Sequence, residues 1–533
     1  MWNICLTPMQ LTYISWIRES KCSMQERKQK PRSMGGPCFR LGRSDGKGSV
    51  MTGHVASRNS KQSVRVGLCG IGHQAYWPQF AGLEERLKGY VDRVKSRLTR
   101  PGVEVVNLGM IDTAQRSQEA GRRCRREDID VLFLYMTTYA LSNVVLPLVQ
   151  RAGVPVIVLN LQPEDSIDYA SFNKLKDRTA MTGEWLAYCS ACPVPELANV
   201  FRRARIPFQQ VTGVLENAET WREIDEWLTA AQVRATLASA LLGLMGTYYS
   251  GMLDIMTDVT LVSIVFGTHA EILEVDELSG LCSEVTPDEI THRVEEFCAQ
   301  FDVQPDCPTE EMRRAARTSV ALDRFVARYD LDAMAYYYKG SGNEANEDTM
   351  SSIILGTSLL TARHIPVAGE YEVKNALAMK IMDCLGAGGS FTEYYAMDFK
   401  DDLVLMGHDG PGHIAIAESK TKVRPLQVYH GKVGRGLSVE MSVKHGPITL
   451  MSVVEDAGSG FKLLVAEGEC VPGAILEIGN TNSRYRFPIG ARGFVDAWCS
   501  QGPAHHCAVG VGHISSTLEK IAALIGIPMH RVC

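Results

Sequence analysis

The feature that most constrains this chain is an alternation over residues 63–163. Short apolar runs rich in β-branched residues are separated there by longer stretches with helical character. SVRVGLCGIG (63–72), VEVVNLGMID (103–112), DIDVLFLYMTTYA (128–140) and PVIVLNLQP (155–163) read as strands. AGLEERLKGYVDRVKSRL (81–98), the charged stretch 114–127 and LSNVVLPLVQRAG read as helices. Strand, helix, strand, helix predicts a doubly wound, Rossmann-like parallel sheet. The runs at 128–140 and 155–163 have the apolar character of parallel strands covered on both faces.

A second α/β region follows. ETWREIDEWLTAAQVRATLASALLGLMG reads as helical, and DVTLVSIVFG (258–267) as a strand. PDEITHRVEEFCAQF and EEMRRAARTSVALDRFVARY are amphipathic helices. AMAYYYKG (333–340) is a strand, and NEDTMSSIILGTSLLTARHI and VKNALAMKIMDCLG (373–386) are helices. After about residue 391 the texture changes. LVLMGHDG, LQVYHGK, LSVEMSVKHG, ITLMSVVED, FKLLVAEGE, AILEIGN and RYRFPI are short and turn-separated, which predicts antiparallel, barrel-like β-structure. SSTLEKIAALIGI closes the chain as a helix. The expected division is a disordered basic extension at 1–62, an N-terminal α/β domain at 63–236, a central α/β domain at 237–391, and an antiparallel β domain with a closing helix at 392–533.

Composition bounds the function. The 533 residues are 45% hydrophobic and 22% charged, enough apolar material for several cores, which excludes bulk disorder and a disulfide mini-protein. No stretch of ~18 apolar residues predicts a membrane span. The net charge of -6 is unevenly spread: residues 1–62 hold 11 Lys+Arg against 3 Asp+Glu, so the body is more acidic than the whole. An acidic body argues against nucleic acid or an anionic membrane as partner and suits a small neutral substrate or a divalent cation. The 15 cysteines lack framework spacing, and several, such as Cys69, Cys298, Cys384 and Cys507, lie in apolar runs. Reduced, buried thiols and a cytoplasmic location are the expectation. Residues 1–62 read as a tail, a start set too early with Met51 as the true initiator, or a targeting segment.

Two motifs mislead. Gly70-Ile-Gly72-His-Gln-Ala75 has the dinucleotide spacing after a strand, but Trp77 and Pro78 crowd the following helix start. No acidic residue closes a second strand about 20 residues on. Cys189-Ser-Ala-Cys192 lacks both thioredoxin-like surroundings and a second pair for zinc.

The residues that carry chemistry sit in the last third: Glu370 in PVAGEYEV, Glu393 in GGSFTEYYAMDF, His408 and His413 in MGHDGPGH, and His505-His506 in QGPAHHCAVGVGH. Each stands at a strand end or glycine-rich turn, where a rigid scaffold presents side chains to a cleft. Two carboxylates and two imidazoles form a mixed oxygen and nitrogen set suited to Mn²⁺ or a similar ion with open positions. Such an ion can chelate adjacent sugar oxygens and polarise a carbonyl.

AGE (368–370), GGSFTE (388–393), LVLMGH (403–408) and HH (505–506) resemble, in order and spacing, the motifs of the L-arabinose isomerase / L-fucose isomerase superfamily. The two-Glu, two-His set is closer to the arabinose isomerase branch. GHQAYW (72–77), LYMTTYALSNVVLPLVQRAGVPVIVLNLQP, GLMGTYYSGMLDIMTD and VFGTHAEIL extend the resemblance patchily over 63–533. It implies a divalent-metal aldose–ketose isomerase for a pentose or deoxy-sugar, L-arabinose- or L-fucose-like, working through a cis-enediol. Glu370, Glu393, His408 and His506 would hold Mn²⁺, or Mg²⁺ or Co²⁺, with Glu370 and Glu393 as the acid/base pair. Gln74, Tyr76, Trp77, His413 and His505 would meet the sugar, the first three reaching a neighbouring subunit's site in a trimer or hexamer. Adjacent residues of an extended chain point to opposite faces, so His505 and His506 are not expected to reach one ion together.

The segment Asp409-Gly-Pro-Gly-His413, Tyr76 and Trp77, and AMAYYYKGSGNE depart from the arabinose enzymes. They touch substrate-facing positions and leave the sugar open. An epimerase or lyase using the same enediolate and a non-catalytic sugar-binding protein are the alternative readings.

Overall fold

The computed structural model describes residues 63–426 and 434–533. The expectations for 1–62 and for nearly all of LQVYHGK lie outside the described residues. Strands β1 (Val64–Ile71), β2 (Val103–Ile111), β3 (Val131–Met136), β4 (Val156–Gln162) and β5 (Phe208–Val214) form a parallel sheet in the order β2-β1-β3-β4-β5. This is a doubly wound order, and the chain leaves β1 and β3 in opposite directions. The 72–77 turn therefore stands at the switch point of the sheet. β5 is missing from the sequence reading because FQQVTGV, an edge strand, buries only Val211 fully and shows no apolar run.

Strands β6 (Leu241–Gly246), β7 (His269–Leu273), β9 (Ala333–Tyr337) and β10 (Val367–Ala368) form a second parallel sheet, ordered β10-β9-β6-β7. The intervening β8 (Asp302–Val303) pairs instead with β13 (Lys422–Pro425), which also pairs with β14 (Leu437–Glu440). Two readings are reversed here. LLGLMG is strand β6 rather than the end of a helix, and DVTLVSIVFG holds the helix Val259–Phe266 rather than a strand. A central strand covered on both faces has no period to tell it from a buried helix. The helix is set by its ends: the Asp258 carboxylate accepts from the Leu261 N–H at 3.1 Å, and Gly267 ends it at φ +74°.

The third sheet holds β11 (Gly388–Asp398), β12 (Leu403–His408), β15 (Gly446–Asp456), β16 (Gly460–Cys470), β17 (Thr481–Arg486), β18 (His506–Val511) and β19 (Met529–Arg531). The order is β15-β18-β11-β12-β17-β16, and β15 pairs with β16, closing six antiparallel strands into a ring. β19 adds in parallel to β16. AILEIGN is not a strand: Asn482 holds it as a loop, accepting from the Leu476 N–H and donating to the Leu476 carbonyl. The helix Gly490–Cys499, absent from the sequence reading, follows β17 and buries Ala491, Phe494 and Trp498.

The helix Val373–Cys384 joins the second sheet to the ring. It packs against β9 and β10 as well as β11, β15 and β18, and all but its last residue are buried. The closing helix Ser515–Ile525 packs on Ala218–Ser239, where Glu226 accepts from Lys520 and Ser516. Among the described residues no helix is long and apolar enough to cross a membrane. Cys69 and Cys507 are buried as expected, Cys384 is half-buried, and Cys298 is exposed.

Candidate active site

Glu370 follows β10 at the C-terminal edge of the second sheet, where ligands meet open α/β sheets. It and Tyr371 are consecutive non-glycine residues in the left-handed region, at φ +55° and +63°. Such backbone costs on the order of 1–3 kcal/mol per residue and persists where surrounding structure imposes it. Tyr371 is held by its N–H donating to the Tyr336 carbonyl.

The ring of strands brings the histidines to this carboxylate. Glu370 Oε2 lies 3.5 Å from His506 Nε2 and 3.8 Å from His505 Nε2, and Oε1 lies 4.0 Å from His408 Nε2. One ligand atom from each of Glu370, His505 and His506 falls within 4.8 Å of the others, a spacing that could hold a metal ion. Glu393 on β11 stands in register with His506 of β18 on one side and with Gly407 of β12, next to His408, on the other. Phe391 packs against the rings of His408 and His506.

His505 and His506 do not diverge. Their ring centroids are 3.8 Å apart. His505 precedes β18 rather than belonging to it, so strand alternation does not apply. Asp254, in the 3₁₀ turn Leu253–Ile255 after β6, turns it inward: Oδ2 accepts from the His505 N–H at 2.9 Å and stands 2.6 Å from Nδ1.

Burial dominates the electrostatics. It pushes the Glu370 carboxyl up to about 7, helped by Glu393, Glu372 and Asp254 and opposed by His505. Burial, then His505, drives His506 well below the ordinary imidazole range, so its ring is neutral at pH 7. Glu370 Oε2 and both His506 nitrogens are buried without a hydrogen bond. Buried polar atoms left this way ask for a further partner.

The other candidates lie elsewhere. His413 is buried, with Nε2 beside Gly388 at the start of β11, and the charges that reach it are Asp383, His364 and Lys444. Burial holds it down at about 4. Gln74 is exposed and Tyr76 half-buried in a 3₁₀ turn, Gln74–Tyr76, and the next helix begins only at Leu83, so the glycine motif does not open a helix. A Cβ at Gly72 would stand 2.8 Å from the Trp77 ring, so this glycine makes room for the indole. Trp77 Nε1 donates to Asp112 Oδ2 at 2.7 Å. Asp112 is fully buried as a side chain and is otherwise bound by Arg116. Trp77→Phe removes that donor, and we expect a loss of about 2 kcal/mol in unfolding free energy, read by denaturant titration.

Three residues near the cluster escaped the sequence reading: Asp254, Glu372 and Lys374. The alternation Glu370-x-Glu372-x-Lys374, charges running into an apolar helix, is a local signal for the last two. Asp254 has none, since it meets His505 across 251 positions.

Residues 388–528 match the L-arabinose isomerase C-terminal domain family. The chain is 21% identical to the L-arabinose isomerase of Vibrio parahaemolyticus over 451 residues, covering 80% of this chain and 86% of that one. It is 22% identical to the Erwinia tasmaniensis enzyme, over 82% and 88% respectively. It is 23% identical to the Nocardioides sp. enzyme, over 62% and 67%. An ABC-transporter solute-binding protein structure from Burkholderia multivorans covers 57% of this chain and 97% of that one at 12% identity, with a TM-score of 0.15, too low to carry an argument.

Proposed function

We propose that the chain is a sugar aldose–ketose isomerase, an intramolecular oxidoreductase, a reading supported by the match of residues 388–528 to the L-arabinose isomerase C-terminal domain and by the likeness of most of the chain to L-arabinose isomerases. Its substrate is a pentose or deoxy-sugar of the L-arabinose or L-fucose kind, and its cofactor a divalent cation, Mn²⁺ first. The observation that supports this reading is the gathering of Glu370, His505 and His506 at a spacing that could hold a metal ion, with His408 Nε2 4.0 Å from Glu370 and Glu393 in register with His506.

These residues fit a cation. The buried, unbonded Glu370 Oε2 and His506 Nε2 offer one oxygen and one neutral nitrogen, and Glu393 and His408 complete a mixed set. When bound, the ion polarises the sugar carbonyl and stabilises enediolate charge. The proton transfers belong to the chain. Burial lifts the Glu370 carboxyl toward the neutral range, as general acid/base work requires, and a bound cation would oppose that lift. One of Glu370 and Glu393 takes the C2 proton of the open-chain aldose to give the cis-enediol. The other serves delivery to C1 and proton movement between the oxygens.

His505 and His413 are assigned to the sugar, His505 from within the cluster and His413 from the segment after β12, beside Gly388. Gln74, Tyr76 and Trp77 come from the first sheet and are not among the groups around Glu370 in this chain, so we assign them to a neighbouring subunit's site. An active monomer at micromolar concentration, seen by light scattering, would overturn that assignment. His506→Ala is expected to lose metal and activity together, whereas His505→Ala keeps most of the metal and weakens turnover or sugar binding. Metal analysis of the two variants checks it, and an empty His505 variant reverses the two roles.

The direct test is a screen of pentoses, 6-deoxyhexoses and tetroses with Mn²⁺, reading ketose formation. A product that is an epimer or a fragment, in place of a ketose, sinks the proposal.

A further inference from the structure

Glu372 lies two residues beyond Glu370, at the N-terminus of the helix Val373–Cys384, with its side chain 0% exposed. It does not cap that helix, for its side chain takes no hydrogen bond from the first turn. Neither carboxylate oxygen accepts a hydrogen bond, and neither nitrogen of His506 makes one. The two unbonded groups face each other: His506 Nδ1 stands 3.6 Å from Glu372 Oε2, while Nε2 is turned to Glu370. Leaving His506 Nδ1 buried without a hydrogen bond costs about 1–3 kcal/mol, so a small closing movement onto Glu372 Oε2 is favoured.

On its other side Glu372 Oε1 lies 3.4 Å from Lys374 Nζ. That ammonium donates to the carbonyls of Asp254 and Met256 and to the Thr257 hydroxyl. Lys374 therefore ties Glu372 to the segment that carries Asp254. Asp254 stands on His505 Nδ1 as Glu372 stands on His506 Nδ1, and both Nε2 atoms face Glu370. Two adjacent imidazoles thus have one carboxylate each behind them.

We propose that Glu372 and Asp254 are positioning residues of this site: each accepts the Nδ1 proton of one histidine and so presents that ring's Nε2 lone pair beside Glu370. Lys374 holds the two carboxylates in one frame. What the histidines then hold rests on the isomerase reading above. A carboxylate behind an imidazole fixes ring and tautomer, and removing such a partner typically costs ~10–100-fold in metal affinity.

The test has two arms. In metal-free protein labelled with ¹⁵N-histidine, two rings are expected in the Nδ1–H form. One should be perturbed by Glu372→Gln and the other by Asp254→Asn. Nε2–H forms at both, or spectra indifferent to both variants, overturn the inference. In Mn²⁺ titration calorimetry, Glu372→Gln is expected to bind ~10–100-fold more weakly than the parent, and Glu372→Asp, which keeps the acceptor, to recover part of the loss, whereas Asp254→Asn, acting through His505, keeps most of the metal and weakens turnover or sugar binding. At saturating Mn²⁺, kcat should fall more than KM for the sugar rises. Parent-like Mn²⁺ affinity in Glu372→Gln, or parent-like turnover and sugar binding in Asp254→Asn, overturns the proposal. A parent protein that binds no Mn²⁺ instead overturns the metal reading, and the tautomers still decide this one. Should Glu372→Gln not fold, Asp254→Asn, at a partly exposed side chain, and the parent spectrum carry the test.

Discussion

Glu370→Gln is expected to lower kcat by at least ~100-fold, the scale of a lost general acid or base. The amide nearly keeps the shape of the side chain but cannot take up or release the proton. Glu370 is the group on which three histidines converge, and burial has already lifted its carboxyl to about 7. Glu393→Gln is expected to fall by a similar factor, since Glu393 sits in register with His506 and lies within Coulombic reach of Glu370. Both variants should also bind metal more weakly. Steady-state kinetics at saturating Mn²⁺, with bound metal measured on the same sample, separates the two losses. Near-normal kcat with metal bound removes that residue from the acid/base pair.

Chelation is expected to abolish turnover, and Mn²⁺ to restore it better than Ca²⁺. Calcium takes six to eight oxygens, whereas this site mixes carboxylate oxygens with imidazole nitrogens. Full activity in metal-free protein would sink the mechanism. Cation affinity should also fall as pH drops through about 7. Glu370 must be ionised to ligate, and burial has raised its pKa into that window, so below it a proton competes for the same oxygen. The sign is that of any ligating carboxylate, but the window lies higher, since an ordinary exposed carboxylate would show no change until far lower pH. Titration calorimetry at pH 6 and pH 8 reads it.

Much of this was legible in the sequence because it is local. The period along Leu83–Leu98, with Leu83, Leu87, Val91, Val94 and Leu98 buried, is written in the residues themselves. So are the apolar runs of β3 and β4 and the turn-separated strands of the closed ring. The motifs holding Glu370, Glu393, His408 and His506 were visible for the same reason. The tertiary structure decided what local signals leave degenerate. LLGLMG could serve as helix or strand, and only the flanking β7 and β9 make it a strand. AILEIGN has strand composition, yet Asn482 takes its backbone groups. His505 was expected to point away from His506, because alternation holds along a strand; a carboxylate 251 positions distant turns its ring the other way. Glu372 faces His506 only because a buried helix joins the second sheet to the ring. Composition and period follow from neighbours in sequence, whereas the orientation of a histidine ring depends on neighbours in space, which the folded chain alone supplies.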